Sequence, residues 1–168
     1  MRFAALLLGM TGLLGGCVAT PNAAERSLVA AEEARHAEDV FALSAAAARA
    51  YRESRWIEAA RDYRRLAERV PEDAYAWFRL GNTYAQQGAY ARAIDAYERS
   101  IARDERQPKA WFNLATAYLL HAQAALRGAR ERLRPGDAAR VLVDERLDAL
   151  VGLVHERIEE SVRTGAGR

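Results

Sequence analysis

The side chains with chemistry to offer are few and scattered. His36, His121 and His155 stand in separate segments, and none has a Cys, Asp or Glu partner at the spacing of a metal-ligand set such as His-Glu-x-x-His. No Gly-x-Ser-x-Gly elbow, phosphate loop or dinucleotide fingerprint occurs. The adjacent carboxylates Glu32-Glu33 and Glu159-Glu160 would point apart on a helix, as on a solvated face, and cannot share one proton-transfer site. Cys17 is the sole thiol, so no internal disulfide can form. A non-enzymatic protein without metal or cofactor is the expectation.

Cys17 has a different chemistry available, set by what precedes it. Residues 1–16 carry one charge, Arg2, followed by the apolar run Phe3 to Leu8 and then Leu13-Leu14. That layout is the layout of a signal peptide. Gly9, Gly12, Gly15 and Gly16 break it, and it falls short of the roughly 20 apolar residues a membrane span needs. Leu14-Gly15-Gly16-Cys17 resembles a bacterial lipobox, in which small residues admit the signal peptidase and diacylglycerol alkylates the cysteine thiol before cleavage. The resemblance implies that residues 1–16 are removed, that Cys17 becomes the lipid attachment site (with palmitate among its acyl chains), and that residues 17–22 form an anchor and tether. Several acyl chains exceed what one chain gives in membrane binding. Val18, rather than Asp, follows the cysteine, which in a Gram-negative cell implies the outer membrane, periplasmic face.

Removing residues 1–16 deletes one basic side chain, Arg2, from 25 basic and 23 acidic ones, so the mature chain is close to neutral. No basic tail or stripe remains, which disfavours nucleic acid as a partner. Composition points to helix: alanine and arginine dominate and only four prolines occur. An all-α fold follows.

The elements show an internal period. Trp77, Leu80 and Tyr84 recur 34 positions on as Trp111, Leu114 and Tyr118, and Ala93 and Tyr97 match Ala59 and Tyr63 at the same distance back. The stretch Ala74 to Gln107 holds the fullest copy, with Gly81 after Leu80 and Gly88-x-Tyr90 at its middle. The earlier copy, 40–73, has Leu43, Ala46, Ala47 and Ala50 at the large signature positions, with Trp56 at its turn and Pro71 at its close. The later one, from 108, opens with Trp111, Leu114 and Tyr118, but Arg127 and Glu131 stand where Ala and an aromatic should be. Its apolar positions instead keep helical period to Leu133, predicting one extended helix over 109–133 and a partial repeat. Before the first copy, residues 23–52 have no proline or glycine and read as one long helix or two separated near His36 to Asp39, with Asn22 and Glu25 as a capping box. Arg134-Pro135-Gly136-Asp137 marks a turn before a last amphipathic helix, 138–162, with a stripe of Val143, Leu147, Leu150, Val151, Val154 and Ile158. That helix can cap the array or form a dimer seam, and residues 164–168 are an expected disordered tail.

These motifs resemble the tetratricopeptide repeat. The resemblance implies a short helix-turn-helix solenoid with a long N-terminal helix and a C-terminal capping helix, over residues 23–163. It implies a repeat core of Trp77, Leu80, Gly81, Tyr84, Ala93, Tyr97, Trp111, Leu114 and Tyr118. It also implies a groove lined by the first helix of each copy, at its second, fifth, ninth and twelfth positions: Tyr75, Phe78, Asn82 and Ala85 in the central copy, Lys109, Phe112, Thr116 and Leu119 in the third, and Phe41, Ser44, Ala48 and Tyr51 in the first. Asn113 stands at the sixth position beside them. Asn82, Lys109 and Asn113 resemble part of the carboxylate clamp that some members use on a peptide C-terminus, with Phe78 in place of the lysine that set includes.

The implied function is a membrane-anchored scaffold binding another envelope protein or peptide segment in pilus, secretion or cell-wall assembly. The alternative is a self-associating structural lipoprotein that dimerises through its C-terminal helix.

Overall fold

Asn22 and Glu25 cap each other's end of the first helix: Glu25 N–H donates to Asn22 Oδ1 and Asn22 N–H to Glu25 Oε2, both at 2.9 Å. The structure, a computed structural model, describes residues 22–164, and side chains as far as residue 153. Cys17, with the leader and tether expectations, and the tail 165–168 lie outside the described residues, as do the side chains of Val154, His155 and Ile158.

Among the described residues six helices follow in order: α1 (Ala23–Arg52), α2 (Trp56–Arg69), α3 (Ala74–Gln86), α4 (Tyr90–Ile101), α5 (Pro108–Arg132) and α6 (Ala138–Thr164). Residues 23–52 are thus one helix. The described residues contain no strand, and the fold is an all-α helical solenoid. The chain divides after His36 into two units. Side chains 22–36 of the first are exposed throughout. The second, from Ala37, holds the core.

Packing in that second unit is sequential: α2 on α3, α3 on α4, α4 on α5, α5 on α6, with α3 also touching α5. Alanines make this close stacking possible. Ala47, Ala59, Ala67, Ala76, Ala93, Ala110 and Ala117 have no exposed surface, while Tyr63, Leu66, Trp77, Leu80, Tyr84 and Tyr97 fill the spaces between helices. Gly81 is the tightest point: a Cβ there would lie 2.6 Å from Cδ1 and Cε1 of Tyr97.

The turns within helix pairs require the left-handed backbone. Ser54 has φ 57° between α1 and α2, and Gly88, 34 residues on, has φ 68° between α3 and α4. The same bond closes both, Arg55 N–H to Ala50 O and Ala89 N–H to Tyr84 O, each 2.9 Å. In the next copy the position is Ala122, the best helix former, and no turn is made. α5 runs on to Arg132, and the chain reverses only at Gly136, φ 97°.

This continuation corrects two core expectations. Trp111 and Tyr118 are 52% and 47% exposed, whereas Trp77 and Tyr84 are 8% and 5%. Arg99 of α4 and Arg103 of the turn after it cover the Trp77 ring at 4.9 and 5.3 Å, and Arg92 covers Tyr84 at 4.5 Å. The residues 34 positions on are Leu133 and Asp137, in the α5–α6 turn, and Leu126, on α5 itself. Among the described residues no second helix stands over Trp111 and Tyr118 as α4 stands over Trp77 and Tyr84. Leu114 is buried, as expected.

α6 meets the far end of α5. Arg130 pairs with Asp144 at 2.6 Å, Arg140 donates to the Leu133 carbonyl at 3.3 Å, and Leu147 is buried. Val143 and Leu150 are half-buried, while Val151 is exposed. Asp137 closes the preceding turn by accepting the Arg134 N–H at 2.8 Å.

Candidate protein-binding groove

The first helices of the successive pairs, α1, α3 and α5, are joined side chain to side chain. Asp73 starts α3 by accepting the Tyr75 and Ala76 N–H groups at 2.9 and 3.2 Å, and Pro108 starts α5 at a position where no intrahelical N–H bond is lost. Those two starts set the rotation of Tyr75 and Lys109 on their helices.

Hydrogen bonds repeat with the sequence period. Trp77 Nε1–H donates to the Pro71 carbonyl at 3.0 Å, and Trp111 Nε1–H donates to the Glu105 carbonyl, 34 residues later, also at 3.0 Å. Arg64 donates to the Tyr84 hydroxyl, and at the equivalent pair the Tyr118 hydroxyl donates to Glu98 at 2.6 Å, so the partner's charge is inverted. Arg79 donates to the Tyr63 hydroxyl at 3.1 Å, and its counterpart Asn113 lies beside the Tyr97 hydroxyl.

Two polar clusters result. Asn82 Oδ1 accepts both the Tyr97 hydroxyl and Asn113 Nδ2, each at 2.8 Å, which ties α3, α4 and α5 together. Burial is the main force raising the Tyr97 phenol pKa, with the Asn113 bond opposing it. One repeat earlier, the Arg79 guanidinium carbon lies 4.0 Å from the Tyr51 ring centre, 5.5 Å from Tyr63 and 5.9 Å from Tyr75. Burial raises the Tyr63 pKa, and Arg79 partly offsets it.

The expected groove residues do not share one environment. Tyr75 is 57% exposed and Lys109 is exposed, Asn82, Phe112, Asn113 and Thr116 are half-buried, and Phe78 is buried against Tyr97, its ring 6.1 Å away. Phe78 is therefore floor rather than rim. Thr116 turns its hydroxyl back on the Phe112 carbonyl at 3.0 Å, and Asn82 and Asn113 bond to each other. The three clamp-like residues thus include two whose amides already meet within the protein. Sequence reading passed over Arg79, although it holds the position in the central copy that Asn113 holds in the third.

Among the described residues no group of three His, Cys, Asp or Glu side chains could hold a metal, and no helix is long and apolar enough to cross a membrane. What the arrangement offers is a strip of aromatic rings, amides and two basic side chains, Arg79 and Lys109, across three packed helices. Residues 44–108 match the family model described as the tetratricopeptide repeat. A stretch of 61 residues is 33% identical to protein bimA of Emericella nidulans, covering 36% of this chain. The chain spans 8% of the length of that relative.

Proposed function

We propose that this protein is a lipid-anchored scaffold whose groove over α1, α3 and α5 holds a segment of another envelope protein during assembly of a pilus, secretion or cell-wall machine. The observation that carries the binding role is the exposed Tyr75 beside two cross-helix clusters, Asn82 with Asn113 and Arg79 with Tyr51, next to and within a segment that matches the tetratricopeptide-repeat model. The anchoring role rests on Leu14-Gly15-Gly16-Cys17 after an apolar leader, and the outer-membrane, periplasm-facing address on Val18. A photo-crosslinking amino acid at Tyr75, in cells expressing the full chain, is expected to trap one abundant envelope protein that the same probe at exposed Ile57 on α2 does not trap. Identical products from both sites would remove the groove reading. For the anchor, Cys17→Ser is expected to abolish lipid labelling and leave the leader uncleaved, and unchanged labelling would refute it.

A second reading is favoured by exposed Val141, Leu142 and Leu153 on α6, and makes the protein a self-associating spacer joined through that helix. Sedimentation of protein beginning at Val18 tests it: a monomer at high concentration removes it.

A further inference from the structure

The geometry points to Arg79, held among Tyr51, Tyr63 and Tyr75, as the subsite of the groove that takes the carboxylate of an internal Asp or Glu side chain on an extended partner segment. This rests on the groove reading above and names the chemistry of what it accepts.

Three observations carry it. First, the guanidinium is half-buried yet unneutralised. Its Nε donates to the Tyr63 hydroxyl at 3.1 Å, and no carboxylate among the described residues pairs with it. Some arginines of the same unit do have such partners, Arg61 with Asp62, Arg69 with Asp39, Arg99 with Asp95 and Arg130 with Asp144, while the half-buried Arg103 and Arg140 donate to backbone carbonyls instead. A cation withdrawn from water without a counter-charge gains more from an arriving anion than a solvated one does.

Second, the fork is fixed before anything binds. The Tyr51 ring at 4.0 Å and the Tyr63 hydroxyl hold the guanidinium plane from two helices, α1 and α2, while Arg79 itself belongs to α3. Its Nη groups have no protein acceptor among the described residues, which leaves two parallel N–H donors for a bidentate carboxylate. Tyr75, 57% exposed, stands at the open side and offers a ring for the chain flanking the acid.

Third, the groove is electrically one-signed. The chain as a whole has 25 basic and 23 acidic residues, but none of the groove positions named above is Asp or Glu, and Arg79 and Lys109 are its cations. An acidic segment meets no like charge there, whereas a basic one does.

The test is selection of short random peptides, displayed internally so that none has a free C-terminus, on immobilised full-chain protein. Binders competed by a Tyr75→Ala-sensitive peptide define the groove set. That set is expected to carry Asp or Glu at one fixed position, and replacing it with Asn or Gln should weaken binding about tenfold or more, the worth of a charge-assisted bidentate bond. Arg79→Glu should invert the preference to Lys or Arg at that position, and Arg79→Gln should erase it while leaving the other enriched positions intact. Both variants are checked for native urea midpoints, and Arg79→Lys, which keeps the charge and loses the fork, should retain only part of the preference. Groove binders without an acidic position, or the same acidic preference in Arg79→Glu, overturn this assignment and leave the groove reading standing. If no binder responds to Tyr75→Ala, the groove reading itself falls.

Discussion

Trp77 and Trp111 make a matched pair in which the same residue, at the same place in the repeat, differs in one physical respect. Each Nε1–H donates to a carbonyl six residues before it, at 3.0 Å in both cases, so truncation to alanine removes the same hydrogen bond twice. What differs is burial: Trp77 is 8% exposed beneath Arg99 and Arg103, Trp111 52% exposed with no second helix above it. Removing a buried Trp costs about 3–5 kcal/mol through lost transfer energy and the cavity left behind. Trp111 withdraws about half as much of its surface from water and leaves an open notch rather than a cavity, so Trp111→Ala should cost about 1–2 kcal/mol. Urea unfolding followed by far-ultraviolet circular dichroism gives both values, and an unchanged m-value confirms that stability alone has moved. Tryptophan fluorescence is unsuitable, because the substitutions remove the reporters. Equal losses at the two sites, or a larger loss at Trp111, would refute the claim that the missing second helix of the third pair is what exposes this ring.

Glycine substitutions should separate in sign. Gly81→Ala drives a Cβ to 2.6 Å from the ring of Tyr97, itself only 2% exposed, and should destabilise by about 1–3 kcal/mol; Gly128→Ala meets only the flexible Arg132 Nη1 at 3.3 Å and should stabilise by about 1 kcal/mol, both read as shifts in urea midpoint. Ser54→Gly relieves a left-handed residue at φ 57° and should raise stability by about 1 kcal/mol, with no gain from the reverse exchange Gly88→Ser. Tyr63 and Tyr97 have phenol pKa values raised by burial, so the folded state keeps its protons where the unfolded chain loses them; stability should hold below about pH 10 and fall as pH rises above it. Alkaline titration of phenolate absorbance should show Tyr63 and Tyr97 ionising only with unfolding, apart from the exposed Tyr118, which Glu98 also holds above its ordinary value, and early, reversible titration of all tyrosines would count against it.

The period of 34 residues was legible from Trp77, Leu80 and Tyr84 against their recurrences, because large residues at helical spacing have few alternatives to a packed interior. Helical class, the Asn22–Glu25 box and the uninterrupted run of α5 were legible for the same reason: each depends on neighbours within a turn or two of chain. Burial was not. Trp111 carries the signature as fully as Trp77, and only the absence of a helix over it exposes the ring. Nor could sequence distinguish Phe78, which sinks against Tyr97, from Tyr75, three residues away, which does not. Arg79 escaped notice because an arginine on a helix reads as a solvated charge; its standing comes from Tyr51 and Tyr63, which approach from two other helices. Local spacing by itself determined which segments coil and how often the pattern returns, since those depend on backbone geometry and side-chain period. Which rings are covered, which amides are already bonded to each other and what surrounds the Arg79 guanidinium were decided only by tertiary structure, since each depends on a partner supplied from another helix.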